Sequence, residues 1–122
     1  MGYIFIYKKK EGEWKVNWNY EYGRIYSMSE DNELLAETTY VYKSNGVVDI
    51  NHTYVSPELR GKGVANSMME LVAEYFRKHS LKVTASCSYA NSWLKKHREE
   101  YSDIISDELD KEAAACKIDG KH

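Results

Sequence analysis

The sequence is poor in several features that mark specialised protein classes. It contains one proline, Pro57, and two cysteines, Cys87 and Cys116, in 122 residues. The two cysteines have no metal-ligand spacing, so we expect reduced thiols and no bound metal. No apolar run is long enough to span a bilayer, and no charged-then-apolar signal sequence opens the chain. These absences predict a soluble, cytoplasmic protein without a membrane partner.

An excess of positive charge is also absent. The chain has 17 Lys and Arg residues against 19 Asp and Glu residues, which gives a formal net charge of -2. Proteins that grip nucleic acid through its phosphates need a cationic surface, so we expect no nucleic-acid partner. The only basic run, Lys8 to Lys10, is typical of a solvated turn.

The residues that are present suffice for one small core. Hydrophobic residues make up 43% of the chain, and eleven tyrosines and three tryptophans predict broad sheet surfaces covered by aromatic rings. The length favours a single domain over residues 1–122. No repeat and no linker divides it.

The first half of the chain predicts a β-sheet. Residues 14–22 alternate strictly, and one face carries Trp14, Val16, Trp18, Tyr20 and Tyr22. Such alternation predicts a half-buried strand, which forms a hairpin with residues 3–7 across a turn at residues 8–13. Further strands are predicted at residues 24–28, 34–43 and 47–55, with an Asn-Gly turn before the last. In that last strand one face is expected to carry Val48, Ile50, His52 and Tyr54.

Residues 56–65 connect this strand to a helix predicted over residues 63–79. The connecting loop holds two glycines, Gly61 and Gly63, which permit positive φ, and two cations, Arg60 and Lys62. Unpaired N–H groups and the dipole at a helix start attract phosphate, so the loop is a candidate phosphate site. Spacing alone leaves open the alternative of a basic surface turn without a ligand. A parallel strand at residues 81–85 and a second helix at residues 88–97 follow.

The loop carries a family resemblance. Arg60-Gly61-Lys62-Gly63-Val64-Ala65 resembles the Arg/Gln-x-x-Gly-x-Gly/Ala signature of the GNAT superfamily of acyl-CoA-dependent N-acetyltransferases. Over about Tyr20 to Ile105 the chain is similar to the small YjdJ-type branch of that superfamily. The motifs that carry this closer similarity are residues 49–53, 58–65, 81–83, 87–89 and 101–105, with Trp93, Lys96 and His97.

The resemblance implies a fold and a cofactor. The implied fold is α+β and GNAT-like: a mixed, mostly antiparallel sheet with two main helices, truncated at the C-terminus. The hairpin within residues 1–19 is then an N-terminal addition, and residues 107–122 form a tail. The implied ligand is acetyl-CoA (coenzyme A) as acyl donor, bound at the strand end by Val55 and in the loop by Arg60, Gly61, Lys62, Gly63, Val64 and Ala65.

Three residues are catalytic candidates under this resemblance. Cys87 follows the last strand, where the resemblance places the thioester, and is a candidate acyl acceptor or proton donor to the leaving thiolate. His52 is a candidate general base for the incoming amine, and Tyr89 a candidate proton donor. The alternatives are structural: a small buried thiol, a core histidine bonded to backbone, and a tyrosine that packs the second helix.

Two classes of function remain. The first is an N-acetyltransferase that moves the acetyl group of acetyl-CoA to an unidentified amine. The second is a non-catalytic acyl-CoA-binding or interaction domain that keeps the loop. We expect the aromatic face of the N-terminal hairpin to be buried, either against its own domain or in a homodimer interface.

Overall fold

A computed structural model describes residues 3–9 and 12–110, with side chains from residue 17 onward. The strands are β1 (Tyr3–Lys9), β2 (Gly12–Glu21), β3 (Arg24–Met28), β4 (Leu34–Tyr42), β5 (Val47–Val55) and β6 (Lys82–Ala85). The helices are α1 (Val64–Lys78) and α2 (Ser88–Lys96), and a 3-10 turn covers Pro57–Leu59. Cys116 and the tail from residue 111 lie outside the described residues.

The six strands form one sheet in chain order, from β1 to β6. Every neighbouring pair is antiparallel except β5 and β6, which are parallel because α1 crosses over between them. This arrangement confirms the predicted α+β class and the mixed, mostly antiparallel sheet. The strands at residues 24–28 and 47–55 have the predicted bounds.

The predicted turn at residues 8–13 is too long. The ladder between β1 and β2 continues to a pair between Lys9 and Gly12. Backbone pairing in a hairpin does not require apolar side chains, so charged residues that looked like a turn extend the two strands instead.

The core lies between α1 and one side of the sheet, which we call the inner face. The apolar stripe of α1 buries Val64, Met68, Met69, Val72, Ala73 and Phe76. From the sheet, Tyr40 meets Phe76 edge to face at 4.9 Å between ring centroids, and Tyr20 stacks on Tyr75 at 5.0 Å. Trp18 is only 1% exposed. These contacts define the inner face as the side of β2–β5 that points to α1.

A β-bulge interrupts the pairing of β4 with β5. Tyr40 pairs with Ile50, and the preceding residue Thr39 pairs with His52. Asn51 therefore has no opposing residue on β4, and β5 carries one extra residue at this point. A single extra residue reverses which side chains of the remaining strand point to each face of the sheet.

The bulge contradicts the predicted face of β5. Val48 and Ile50 point to the inner face, where both are buried. His52 and Tyr54 lie on the opposite side, which we call the outer face, and Thr53 takes the inner position. The prediction that all four residues share one face was wrong because simple alternation does not include the extra residue at the bulge.

Candidate functional site

The second half of β5 has a free edge. Parallel pairing covers only Val47–Ile50 with Lys82–Ala85. The carbonyl of Ile50 then accepts hydrogen bonds from the N–H groups of Ser86 at 3.1 Å and Cys87 at 3.0 Å, and the chain turns into α2. Among residues 3–9 and 12–110, no strand pairs with residues 51–55 on this side.

Backbone groups point to this free edge. The Ser56 N–H donates to the Leu35 carbonyl at 2.8 Å, which marks a hydrogen-bonded position of the β4–β5 ladder. In an antiparallel pair the positions alternate, so Thr53 and Val55 direct their N–H and C=O groups away from β4. The Val55 carbonyl accepts a hydrogen bond from Arg60 Nε at 2.9 Å. The edge therefore offers backbone hydrogen bonds to an extended, amide-containing ligand.

The loop after β5 ends beside this edge and opens α1. Gly61 has φ 79° and Gly63 has φ 81°, in the left-handed region, and α1 begins without a side-chain cap. A Cβ at either glycine would meet no atom within 4 Å, so open space lies over the loop. Ser67 makes the first helical hydrogen bond, to the Gly63 carbonyl at 3.1 Å. The N–H groups at positions 64–66 precede that bond and remain available to an anion.

The predicted coenzyme-binding residues lie together. Residues 60–63 are exposed, whereas Val64 is buried and anchors the loop to the core. Arg60 is tied to the strand end through its bond to Val55, and Lys62 is exposed. Cationic side chains and uncapped N–H groups at the start of a helix are features that attract an anionic group such as a phosphate.

Cys87, Tyr89 and Thr53 form a second group on the inner side of β5. The Cys87 Sγ lies 3.4 Å from the Thr53 Oγ1, so the thiol of the α2 N-cap touches β5 just beyond the bulge. Tyr89 is 41% exposed. Partial burial, and then the neighbouring Cys87 thiol, raise the pKa of Tyr89, which keeps its phenol protonated at neutral pH. The Tyr89 phenol can therefore be a proton donor.

His52 is not part of that group. Its side chain is 54% exposed on the outer face, where Nε2 lies 3.8 Å from the Glu37 Oε1. Thr53 follows it in the strand and points to the opposite face, so β5 itself separates His52 from the Cys87 thiol. The structure does not bring the candidate base and the candidate thiol into contact.

The sequence analysis missed two residues of this region, Thr53 and Glu37. Simple alternation places Thr53 on the face opposite to Val48 and Ile50, whereas the bulge brings it to their face. Glu37 is an acidic residue inside a strand rich in Thr, Tyr and Val. A charged residue in such a strand is the sequence feature that could have marked it as a candidate. Its side chain is only 14% exposed and accepts a hydrogen bond from Arg24 Nε.

Within the described part of the chain, no group of three or more His, Cys, Asp or Glu residues is placed to hold a metal ion. Neither helix in that part is long and apolar enough to cross a membrane.

Comparison with known proteins identifies one family. The family model of the GCN5-related N-acetyltransferases matches residues 25–104. The NMR structure of a GCN5-like N-acetyltransferase candidate from Staphylococcus aureus is 36% identical, with a TM-score of 0.63. The match covers 74% of this chain and 87% of that one.

Two further similar structures are weaker matches. Nourseothricin acetyltransferase is 23% identical over 51% of this chain and 38% of its own, with a TM-score of 0.43. A candidate GNAT-family acetyltransferase from Desulfovibrio desulfuricans is 17% identical over 51% of this chain and 41% of its own, with a TM-score of 0.45.

Proposed function

The chain belongs to the GCN5-related N-acetyltransferase family, and on that premise we propose that it binds acetyl-CoA and transfers the acetyl group to an amine. The observation that carries the proposal is the loop of residues 60–65, which ends the free edge of β5 and opens α1. Membership of the smaller YjdJ-type branch stays a prediction.

The loop and the strand edge have separate roles in this proposal. The N–H groups at positions 64–66, with Arg60 and Lys62, hold the pyrophosphate. The N–H and C=O groups of Thr53 and the N–H of Val55 hold the amide-containing arm of the coenzyme along the strand. The support is that both sets of groups lie at one end of β5.

The chemistry requires two proton transfers. A C–N bond forms between the amine nitrogen and the acetyl carbon, and the thioester C–S bond breaks. The amine loses a proton, and the leaving thiolate gains one. We assign the first transfer to His52 on the outer face, and the second to Tyr89 or Cys87 on the inner face. Because the amine nitrogen and the leaving sulfur are attached to the same acetyl carbon, both groups must reach one centre, and the proposal therefore places the thioester at the free edge of β5, between the two faces.

Coenzyme binding is tested by thermal unfolding with and without acetyl-CoA. A ligand that binds only the folded state at one hundred times its Kd stabilises it by about 2.7 kcal/mol, so the melting temperature should rise. Gly63→Asp should abolish this rise, because the substitution places a carboxylate over the anion site. The left-handed φ should also cost about 1–2 kcal/mol of stability without ligand.

The matched control for this substitution is Gly46→Asp. Gly46 has φ 73° and open space around its Cα, but it lies in the β4–β5 turn, before the strand whose far end carries the loop. Gly46→Asp should lower the melting temperature without ligand by a similar amount, but the rise in melting temperature with acetyl-CoA should remain. An unchanged wild-type melting temperature at millimolar acetyl-CoA would show that the coenzyme proposal is wrong.

Catalysis is tested separately, by release of the coenzyme A thiol in the presence of a panel of small primary amines and a lysine-containing peptide. Acetylated product, confirmed by mass spectrometry, supports transfer. Ligand-induced stabilisation without any product supports the non-catalytic acyl-CoA binder instead.

A further inference from the structure

Glu37 lies at the centre of a polar cluster on the outer face. It is paired across the sheet with Tyr26 on β3 and with Tyr54 on β5. Arg24 and His52 occupy the next outer positions of the same two strands, both opposite Thr39 on β4. The Glu37 side chain is 14% exposed, whereas that of His52 is 54% exposed. The carboxylate is therefore more deeply buried than the imidazole, and Arg24 and His52 are its neighbours on either side.

The two carboxylate oxygens of Glu37 have different neighbours. Oε2 accepts the hydrogen bond from Arg24 Nε, and Oε1 lies 3.8 Å from His52 Nε2. Arg24 is itself held, with its guanidinium 3.7 Å above the Tyr26 ring and 3.7 Å from a Glu21 oxygen. One oxygen is thus fixed by a rigid cation, and the other is directed to the histidine.

We propose that Glu37 is a positioning residue for His52, an inference that rests on the proposed transferase function. When Nε2–H points to Glu37, the imidazole presents its unprotonated Nδ1 to the incoming amine. Nδ1 takes the amine proton as the C–N bond forms, and the imidazolium so produced lies beside a carboxylate. The carboxylate stabilises that cation and keeps the ring in one orientation.

The test is steady-state kinetics of the full-length protein with acetyl-CoA and the best amine of the panel. Glu37→Gln keeps the size of the side chain and an oxygen for Arg24, but removes the charge. We expect kcat to fall about tenfold, in the range seen for groups that orient a functional histidine. The KM for acetyl-CoA and the melting rise with acetyl-CoA should not change, because the loop is untouched.

Glu21→Gln is the matched control. Glu21 also neighbours Arg24 and accepts a hydrogen bond from the Tyr26 hydroxyl at 2.8 Å, but it has no contact with His52 in the described structure. This variant should keep kcat within about twofold. Equal losses in both variants would overturn the proposal, because disturbance of Arg24 would then explain them.

A double-mutant cycle separates a positioning role from an independent structural one. In a His52→Ala background, Glu37→Gln should cause almost no further loss of kcat, because its effect passes through the imidazole. Another tenfold loss would overturn the proposal. If the wild type transfers acetyl and Glu37→Gln has the same kcat, the positioning role alone is refuted. A wild type that transfers to no amine refutes the transferase function and the positioning role together.

Discussion

At the scale of single residues, the role of Cys87 would distinguish two mechanisms of acetyl transfer. Its Sγ touches Thr53 on the inner side of β5, and its own N–H ends the β5–β6 ladder. If Cys87 takes part in the proposed reaction, its thiol either accepts the acetyl group or donates a proton to the leaving thiolate. The distinction is measurable because only an acceptor gains mass.

Incubation with acetyl-CoA followed by intact-mass analysis should therefore show an acetyl adduct if Cys87 is an acceptor. Peptide mapping distinguishes it from Cys116, the other cysteine of the chain. Cys87→Ala should remove the adduct and keep the thermal response to acetyl-CoA, since the proposed coenzyme site is the loop of residues 60–65. Full transfer activity in Cys87→Ala would assign the residue a structural role and leave Tyr89 as the proton donor.

At the scale of elements, one arginine connects the end of α1 to the segment after α2. Arg77 donates two hydrogen bonds to the Asp103 carboxylate, at 2.8 and 2.7 Å, and a third to the Glu100 carbonyl at 3.0 Å. Its guanidinium also lies 4.9 Å from the Tyr101 ring centroid. That segment also places Ile105 in a single parallel bridge with Val83 of β6. The contacts of Arg77, which we call the clamp, therefore hold this segment against the β6 edge of the sheet.

The clamp predicts a pH dependence of stability. The hydrogen bonds from Arg77 hold the pKa of Asp103 below its usual value of 3.8. A carboxyl group whose pKa is lowered by folding stabilises the folded state above its unfolded pKa, and this contribution is lost as pH falls through the folded value. Asp103→Asn should therefore lower the melting temperature at pH 7, and the difference from wild type should shrink below about pH 4.

Asp110→Asn is the control for this pH effect. Within residues 3–9 and 12–110, Asp110 has only single contacts, with Arg98 Nη2 at 3.1 Å and Lys95 Nζ at 3.6 Å. Its replacement should change the melting temperature much less at either pH. A constant difference between Asp103→Asn and wild type from pH 7 to pH 3 would contradict the assigned role of the ion pair.

At the scale of the whole molecule, strand β2 contributes to the main core through Trp18. Trp18, in the segment that the sequence assigns to an added hairpin, is 1% exposed and pairs across the sheet with Ser27 of β3. This tryptophan is buried within its own chain, whereas Tyr22 at the end of the same aromatic face is 86% exposed. The domain boundary near residue 19 and the homodimer both stay predictions.

Removal of residues 1–19 should destabilise the domain because it takes Trp18 out of the core. Trp18→Ala in the full-length chain should cost about 3–5 kcal/mol of unfolding free energy. Removal of residues 1–11 alone should cost less, because β2 and its buried Trp18 remain. Equal melting temperatures for the full-length chain and the chain without residues 1–19 would refute the shared core, and sedimentation velocity of both tests the homodimer.

The sequence by itself determined the elements and the family. Period-2 and period-3.6 patterns are local, so β3, β5 and α1 could be predicted from neighbouring residues. The Arg60–Ala65 loop was recognisable for the same reason, because its glycines, its cations and the helix start are adjacent in the chain.

Only the tertiary structure decided which functional side chains meet. The bulge at Asn51 exists in the pairing of β4 with β5, and a pattern within one strand contains no register. That extra residue moved His52 from the expected inner face to the outer face, away from Cys87 and next to Glu37. Catalytic geometry depends on contacts between strands, and those contacts are fixed by hydrogen-bond register rather than by the spacing of residues along the chain.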